Sequence, residues 1–237
     1  MKVLLPLPAT LASGFTRKER RLVASLPTPE AVQAWLNRLP YNWERRGETA
    51  RSFRQVVKRR TAHCLEAALF AAAVLGEHGH PPLLLDIEST DLLDHVLFVY
   101  KRDGLWGSIG RSRCVGLHGR KPAFADLDAL VATYRAPFID TTGRVKGWGL
   151  LDLRSLPKVP WRFGSRNVWA VEEALNANTH KPHPTPEAEF RKWKKRYDAW
   201  WDAHGRPAHD WPDFADFPGR ATWSQLPPAS KGTPQPL

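Results

Sequence analysis

The sequence predicts an α+β protein in which one alanine-rich helix lies on a mainly antiparallel sheet, followed by a C-terminal helical extension. Three observations predict this. The segment after Cys64 places apolar residues at helical spacing (Leu65, Ala68, Leu69, Ala72 and Leu75). Three strand-like segments follow: PPLLLDIES, HVLFVYKRDG and LWGSIGRSRCVGL, the last two joined by an Asp-Gly turn. One helix and then three strands in a row is an α+β order, because a parallel sheet needs a crossover between strands. Further on, PTPEAEFRKWKKRYDAWWDAHG puts Phe190, Trp193, Tyr197, Trp200 and Trp201 along one side of a helix.

Taken in order, residues 1–27 read as a basic N-terminal arm, loose and ending in TRKERR. A helix starts at Thr28: this residue caps, Pro29 suits the first helical position, and Glu30 favours the positive helix end. Val32, Trp35 and Leu36 give it a packing face, and Pro40 ends it. YNWERRGET is a loop and ARSFRQVVKRR a short helix. The Cys64 helix stops at Gly76 and Gly79. In HVLFVYKRDG both faces are apolar, which predicts a central strand. FADLDALVATY, over 124–134, is an amphipathic helix, and 157–180 carries no sharp signal. The organisation expected is a core over 28–156, a Trp-rich extension over 157–224, and a Pro-rich disordered tail over 225–237.

The chain has 237 residues, enough for one full core. Two cysteines make no disulfide framework, which points to a reducing, cytoplasmic compartment. The net charge is +11, and residues 1–61 hold thirteen Lys/Arg against four Glu. A basic face attracts nucleic acid, acidic lipid or acidic proteins; the plainer reading is a solvated, solubilising surface. The N-terminus MKVLLPLPATLASGF resembles a secretory signal in miniature, but its apolar run is short and carries two prolines, so secretion is the lesser expectation. No stretch approaches the roughly 18–20 apolar residues of a membrane helix.

Cys64 stands where the basic segment turns apolar. A thiol at a helix N-terminus meets unpaired N–H groups and a positive dipole, and an imidazolium lowers its pKa further. With Thr61 as the cap, Cys64 falls in the first turn and its N–H serves as half of an oxyanion hole. His63 is adjacent, yet about 100° away around a helix, so His95 is the better base. The plain alternative is that Cys64 packs as a small core residue. His63, Cys64, His78 and His80 are close in sequence, but with one cysteine and no recognisable ligand spacing they imply no metal. No phosphate-binding glycine loop is present in the sequence, and no organic cofactor is implied.

The run HCLEAALFAAAVLGEHGHPPLLLDI, followed by DHVLFVYKRDGLWGSIGRS, resembles the core of the transglutaminase-like superfamily of papain-like Cys–His proteins. Upstream, LPYNWERRGETARSFRQVVKRRTAHC resembles a bacterial branch of that superfamily. The likeness spans residues 30–156. It implies a papain-like fold in which Cys64 is the nucleophile and His95 its base. The third triad member does not carry over: Gly110 stands where the family's aspartate is expected, four residues after Trp106. Ser108, Ser112 and Asp86 are the candidates to orient His95 instead. Cys114 has no matched partner and reads as structural.

The function expected is thiol-dependent acyl chemistry on amide bonds of a peptide or protein substrate: hydrolysis with water, transfer with an amine. The alternatives are a catalytically silent binding module of the same fold, motivated by Gly110, and a nucleic-acid-associated protein, motivated by the basic N-terminal region and FRKWKKRYDAWW.

Overall fold

A computed structural model describes residues 14–112, 115–139 and 142–204. The fold is α+β, with an antiparallel six-stranded sheet. The helices are α1 (Arg17–Ala24), α2 (Pro29–Asn37), α3 (Phe53–Arg59), α4 (Cys64–Gly76), α5 (Leu127–Ala132), α6 (Arg135–Phe138), α7 (Trp169–Asn176) and α8 (Glu187–His204). The strands are β1 (Leu83–Ser89), β2 (His95–Arg102), β3 (Leu105–Ile109), β4 (Arg120–Phe124), β5 (Val145–Asp152) and β6 (Lys181–Pro182), in the order β4-β3-β2-β1-β5-β6.

The alternation of β2 places side chains on both faces of the sheet. Val96, Phe98 and Tyr100 join α2, α3 and α4 in one core, while Leu97 and Val99 meet Leu130 and Val131 of α5 and the Tyr134 ring in another. The strand is central with two apolar faces, as its sequence predicts. Helix α4 departs from expectation. It has no polar face: every residue from Leu65 to Gly76 is buried. A helix apolar all round belongs inside a core, and its alanines let neighbours approach closely. Trp35 of α2 stacks on Phe70 of α4 with ring centroids 4.2 Å apart.

Residues 17–24 are helical, which corrects the reading of a loose arm. Thr16 and Glu19 form a capping box: the Glu19 N–H donates to Thr16 Oγ1 at 3.2 Å, and the Thr16 N–H to Glu19 Oε2 at 2.7 Å. Arg54 of α3 then grips Glu19 at 2.8 Å. The basic run masked this, because Arg and Lys occupy the solvent side while Phe15, Val23 and Leu26 are buried. Residues 1–13 and the tail over 225–237 lie outside the described residues.

Strand β5 had no sequence counterpart. Gly147 and Gly149 dilute its strand signal, yet both are buried, as are Val145 and Leu151, and the strand pairs along the whole of β1. Phe124 belongs to β4, so the helix expected over 124–134 begins at Leu127, capped by Asp126. The segment after 156 packs into the main core through Trp161, Val168, Val171 and Leu175. It also pairs with residues 50–54: the Phe53 N–H donates to Trp161 O and the Val168 N–H to Ala50 O. Among the described residues, no helix is long and apolar enough to cross a membrane.

Candidate functional site: a thiol between two imidazoles

Helix α4 begins with Cys64 as its first residue, and His63 is the N-cap, with extended backbone (φ −97°, ψ −170°). Thr61 is therefore not the cap; its hydroxyl instead accepts from Arg51 Nη1 at 2.7 Å. Glu66 completes the N-terminus by accepting from the His63 N–H at 3.1 Å. Cys64 keeps partial exposure at the end of an otherwise buried helix. Its N–H is one of the first-turn donors that no helical carbonyl can satisfy.

The cap conformation overturns the dismissal of His63. A separation of 100° holds only between helical residues, and a cap residue is not one. The His63 ring folds back, with Nδ1 4.0 Å from Cys64 Sγ, the outer reach of a sulfur hydrogen bond. Its Nε2 donates to Thr49 O at 2.8 Å, with Glu66 Oε1 at 3.5 Å and Glu44 Oε1 at 3.6 Å. Burial opposes a charge on this ring, but the contact with Cys64, the Glu66 carboxylate and the Thr49 carbonyl outweigh it. The His63 pKa is raised to about 9.

Glu66 holds this side together. It is fully buried and accepts from Asn42 Nδ2, Thr49 Oγ1 and the Arg51 N–H as well as from His63. The 42–51 loop is thus tied to the start of α4 around one carboxylate. The signal was in the sequence: a Glu three residues after the cap is the acid half of a capping box.

His95 opens β2 and is buried. It is the second imidazole acting on the thiol. Burial raises the Cys64 pKa, but the His63 ring in contact with the sulfur, and the His95 ring acting on it as well, hold it well below the ordinary thiol range. His95 Nε2 donates to Leu117 O at 2.7 Å. That bond fixes the tautomer and leaves Nδ1 for the thiol. The Tyr134 and Phe138 rings wall its other side, at centroid distances of 6.2 and 6.5 Å.

No carboxylate takes the aspartate's place behind His95 among the described residues. A Cβ on Gly110 would lie 2.3 Å from Leu97 Cδ2, so Leu97 occupies that space. The Gly110 backbone is instead clamped by Gln33, whose Oε1 accepts from its N–H at 3.0 Å and whose Nε2 donates to its carbonyl at 2.8 Å. Ser108 is committed elsewhere, to Tyr134 Oη at 2.6 Å and to the Arg120 N–H at 2.9 Å. Ser112 presents its carbonyl to Arg111 Nη1 at 2.6 Å. Asp86 contacts His180 Nε2 at 3.0 Å rather than His95, and burial pushes its pKa up to about 6. Cys114 lies outside the described residues.

The loop that carries Leu117 is built on buried arginines. Arg111 donates to Leu39 O and Ser112 O, and Arg120 to Gly116 O, His118 O and Thr133 O. Arg111 Nη1 also donates to His118 Nε2 at 2.9 Å. Burial and the Arg111 charge push the His118 pKa down to about 3, so this ring is neutral. Among the described residues, no group of three or more His, Cys, Asp or Glu is placed to hold a metal ion. His78 Nε2 sits on Val23 O at 3.0 Å, and His80 lies edge-on to Tyr100. In α8, Tyr197, Trp200 and Trp201 are buried in a cluster of their own, which removes three of the five aromatics from base stacking.

Comparison of the chain with protein-family models and with curated proteins finds no match.

Proposed function

We propose that this protein carries out thiol-dependent acyl chemistry on amide bonds of a peptide or protein substrate, on a papain-like, transglutaminase-like core. The observation that carries the reading is Cys64 itself: a partly exposed thiol at the first position of a buried helix, held ready to ionise by two imidazoles. Structural cysteines are inert and buried; reactive ones sit in partly exposed, electropositive places.

The residues define the steps. Cys64 Sγ gives its proton to His95 Nδ1 and forms a bond to the carbonyl carbon of the amide. The developing oxyanion takes a hydrogen bond from the Cys64 N–H. As the C–N bond breaks, His95 returns the proton to the departing amine, leaving a thioester on Cys64. Water or an amine then attacks, with His95 taking and passing on the new proton. Hydrolysis is the default outcome, because water is always present. A cytoplasmic, reducing setting fits a free thiol in this role.

The Leu117 carbonyl does part of an aspartate's work. It orients the ring and selects the tautomer, but it carries no full negative charge to stabilise the imidazolium. Leu97 filling the aspartate's place favours a second reading, a silent binding module on the same fold. Iodoacetamide at pH ~6 separates the two. Rapid alkylation of Cys64, slowed by His95→Ala, supports the enzyme. Slow alkylation of Cys64 and Cys114 alike supports the binding module.

A further inference from the structure

We propose that His63 is a second charge-bearing residue of the thiol site, a standing cation that holds the sulfur's negative charge while His95 moves the proton. The inference rests on the thiol reading above and assigns a residue that the superfamily resemblance does not.

Geometry divides the two rings. His63 points Nδ1 at Sγ from 4.0 Å and turns Nε2 toward the Thr49 carbonyl, with two carboxylates at 3.5 and 3.6 Å. All three groups favour a protonated ring. His95 has a neutral carbonyl behind it and a neutral His118 and two buried arginines in the surrounding loop. The partner of His95 is thus a carbonyl, whereas His63 has a carbonyl with two carboxylates beside it.

The charges around the sulfur make a standing cation necessary. Glu66 of α4 and Glu44 of the 42–51 loop face His63, with Arg51 3.5 Å from Glu66. Asp86 of β1 and Glu172 of α7 also interact electrostatically with Cys64. These carboxylates disfavour a thiolate; His63 lies between Glu44, Glu66 and the sulfur and reverses their effect there. The proton inventory closes. In acylation the thiol proton goes to His95 and then to the leaving amine, and His63 keeps both of its own. The raised pKa of His63, about 9, agrees with a ring that stays charged through neutral pH.

The test is the pH dependence of iodoacetamide alkylation of Cys64 in the full chain, read on the Cys64 peptide by mass spectrometry. The expected wild-type midpoint lies well below the ~8.5 of a free thiol. His63→Gln raises it by about one unit or more, and His95→Gln raises it by less. A low wild-type midpoint that His63→Gln leaves in place and His95→Gln raises overturns the proposal and leaves the Cys64–His95 reading standing. A wild-type midpoint near ~8.5 overturns both. Nitrogen-15 NMR of the wild-type ring gives the answer without a variant. His63 is expected to stay protonated up to about pH 9; titration near ~6.5 overturns the proposal.

Discussion

His63 and His118 are both buried, the first against Cys64 and the second close enough to His95 to feel its charge, and they are oppositely tuned. His63 is raised to about 9 and His118 lowered to about 3. Burial acts against the charged form of each. The neighbours decide: the Cys64 sulfur first and then Glu66 and the Thr49 carbonyl raise His63, while Arg111 and Arg120 lower His118. The N-terminus of α4 is therefore an acid-lined socket for a cation, and the loop of Leu117 an arginine-lined setting that keeps the His118 ring neutral. The thiol lies where the two regions meet.

The largest blow to this contrast is Glu66→Ala. It leaves Asn42, Thr49, Arg51 and the His63 N–H facing an emptied, buried site, and removes the nearer carboxylate from His63. Urea unfolding is expected to show a loss of about 3–5 kcal/mol. A loss below ~1 kcal/mol would mean the loop does not depend on this carboxylate.

Acid acts on the other region. The folded pKa of His118 is depressed, so the unfolded chain binds a proton that the folded chain refuses. The sign follows: stability drops as pH falls below ~6.5, by about 3 kcal/mol at pH 4.5 from this ring alone. The difference between wild type and His118→Gln over that range isolates it; parallel curves would contradict the assignment. His63 behaves in reverse. Its contribution is whole below ~6.5 and is lost as pH rises through about 9.

Restoring the aspartate is the next test. Gly110→Asp forces Leu97 to move and is expected to destabilise the protein by about 1–3 kcal/mol without speeding Cys64 alkylation. A stable, faster-reacting variant would show that the space exists after all. The smallest effect belongs to Gln33→Ala, which unpairs the Gly110 N–H and carbonyl. It is expected to cost about 1–2 kcal/mol in thermal unfolding.

Much of the architecture was legible because its signals are local. The cap at Thr28, the order of α4 and the first three strands, and the central place of β2 follow from residue types and spacing. Strand β5 was not, since two of its buried positions are glycines whose value is tertiary: a Cβ on Gly149 would stand 3.1 Å from the His180 ring. Helix α1 was hidden by its charge. At the site, Cys64 and His95 are legible as residue types at the starts of a helix and a strand, and His95 is among the groups that lower the Cys64 pKa. His63 lies one residue outside the helix, so helical spacing does not apply to it and its extended cap backbone turns the ring onto the sulfur. The Leu117 carbonyl could not be read at all, since a backbone acceptor leaves no mark on residue type.

The most direct measurement of the central claim is the reaction of the full chain with p-nitrophenyl acetate, an activated acyl donor. A burst of one p-nitrophenolate per chain is expected, with an acetyl group on Cys64 by mass spectrometry and loss of both in Cys64→Ala. Absence of a burst, or acetyl groups scattered over lysines with Cys64 unmodified, would contradict it.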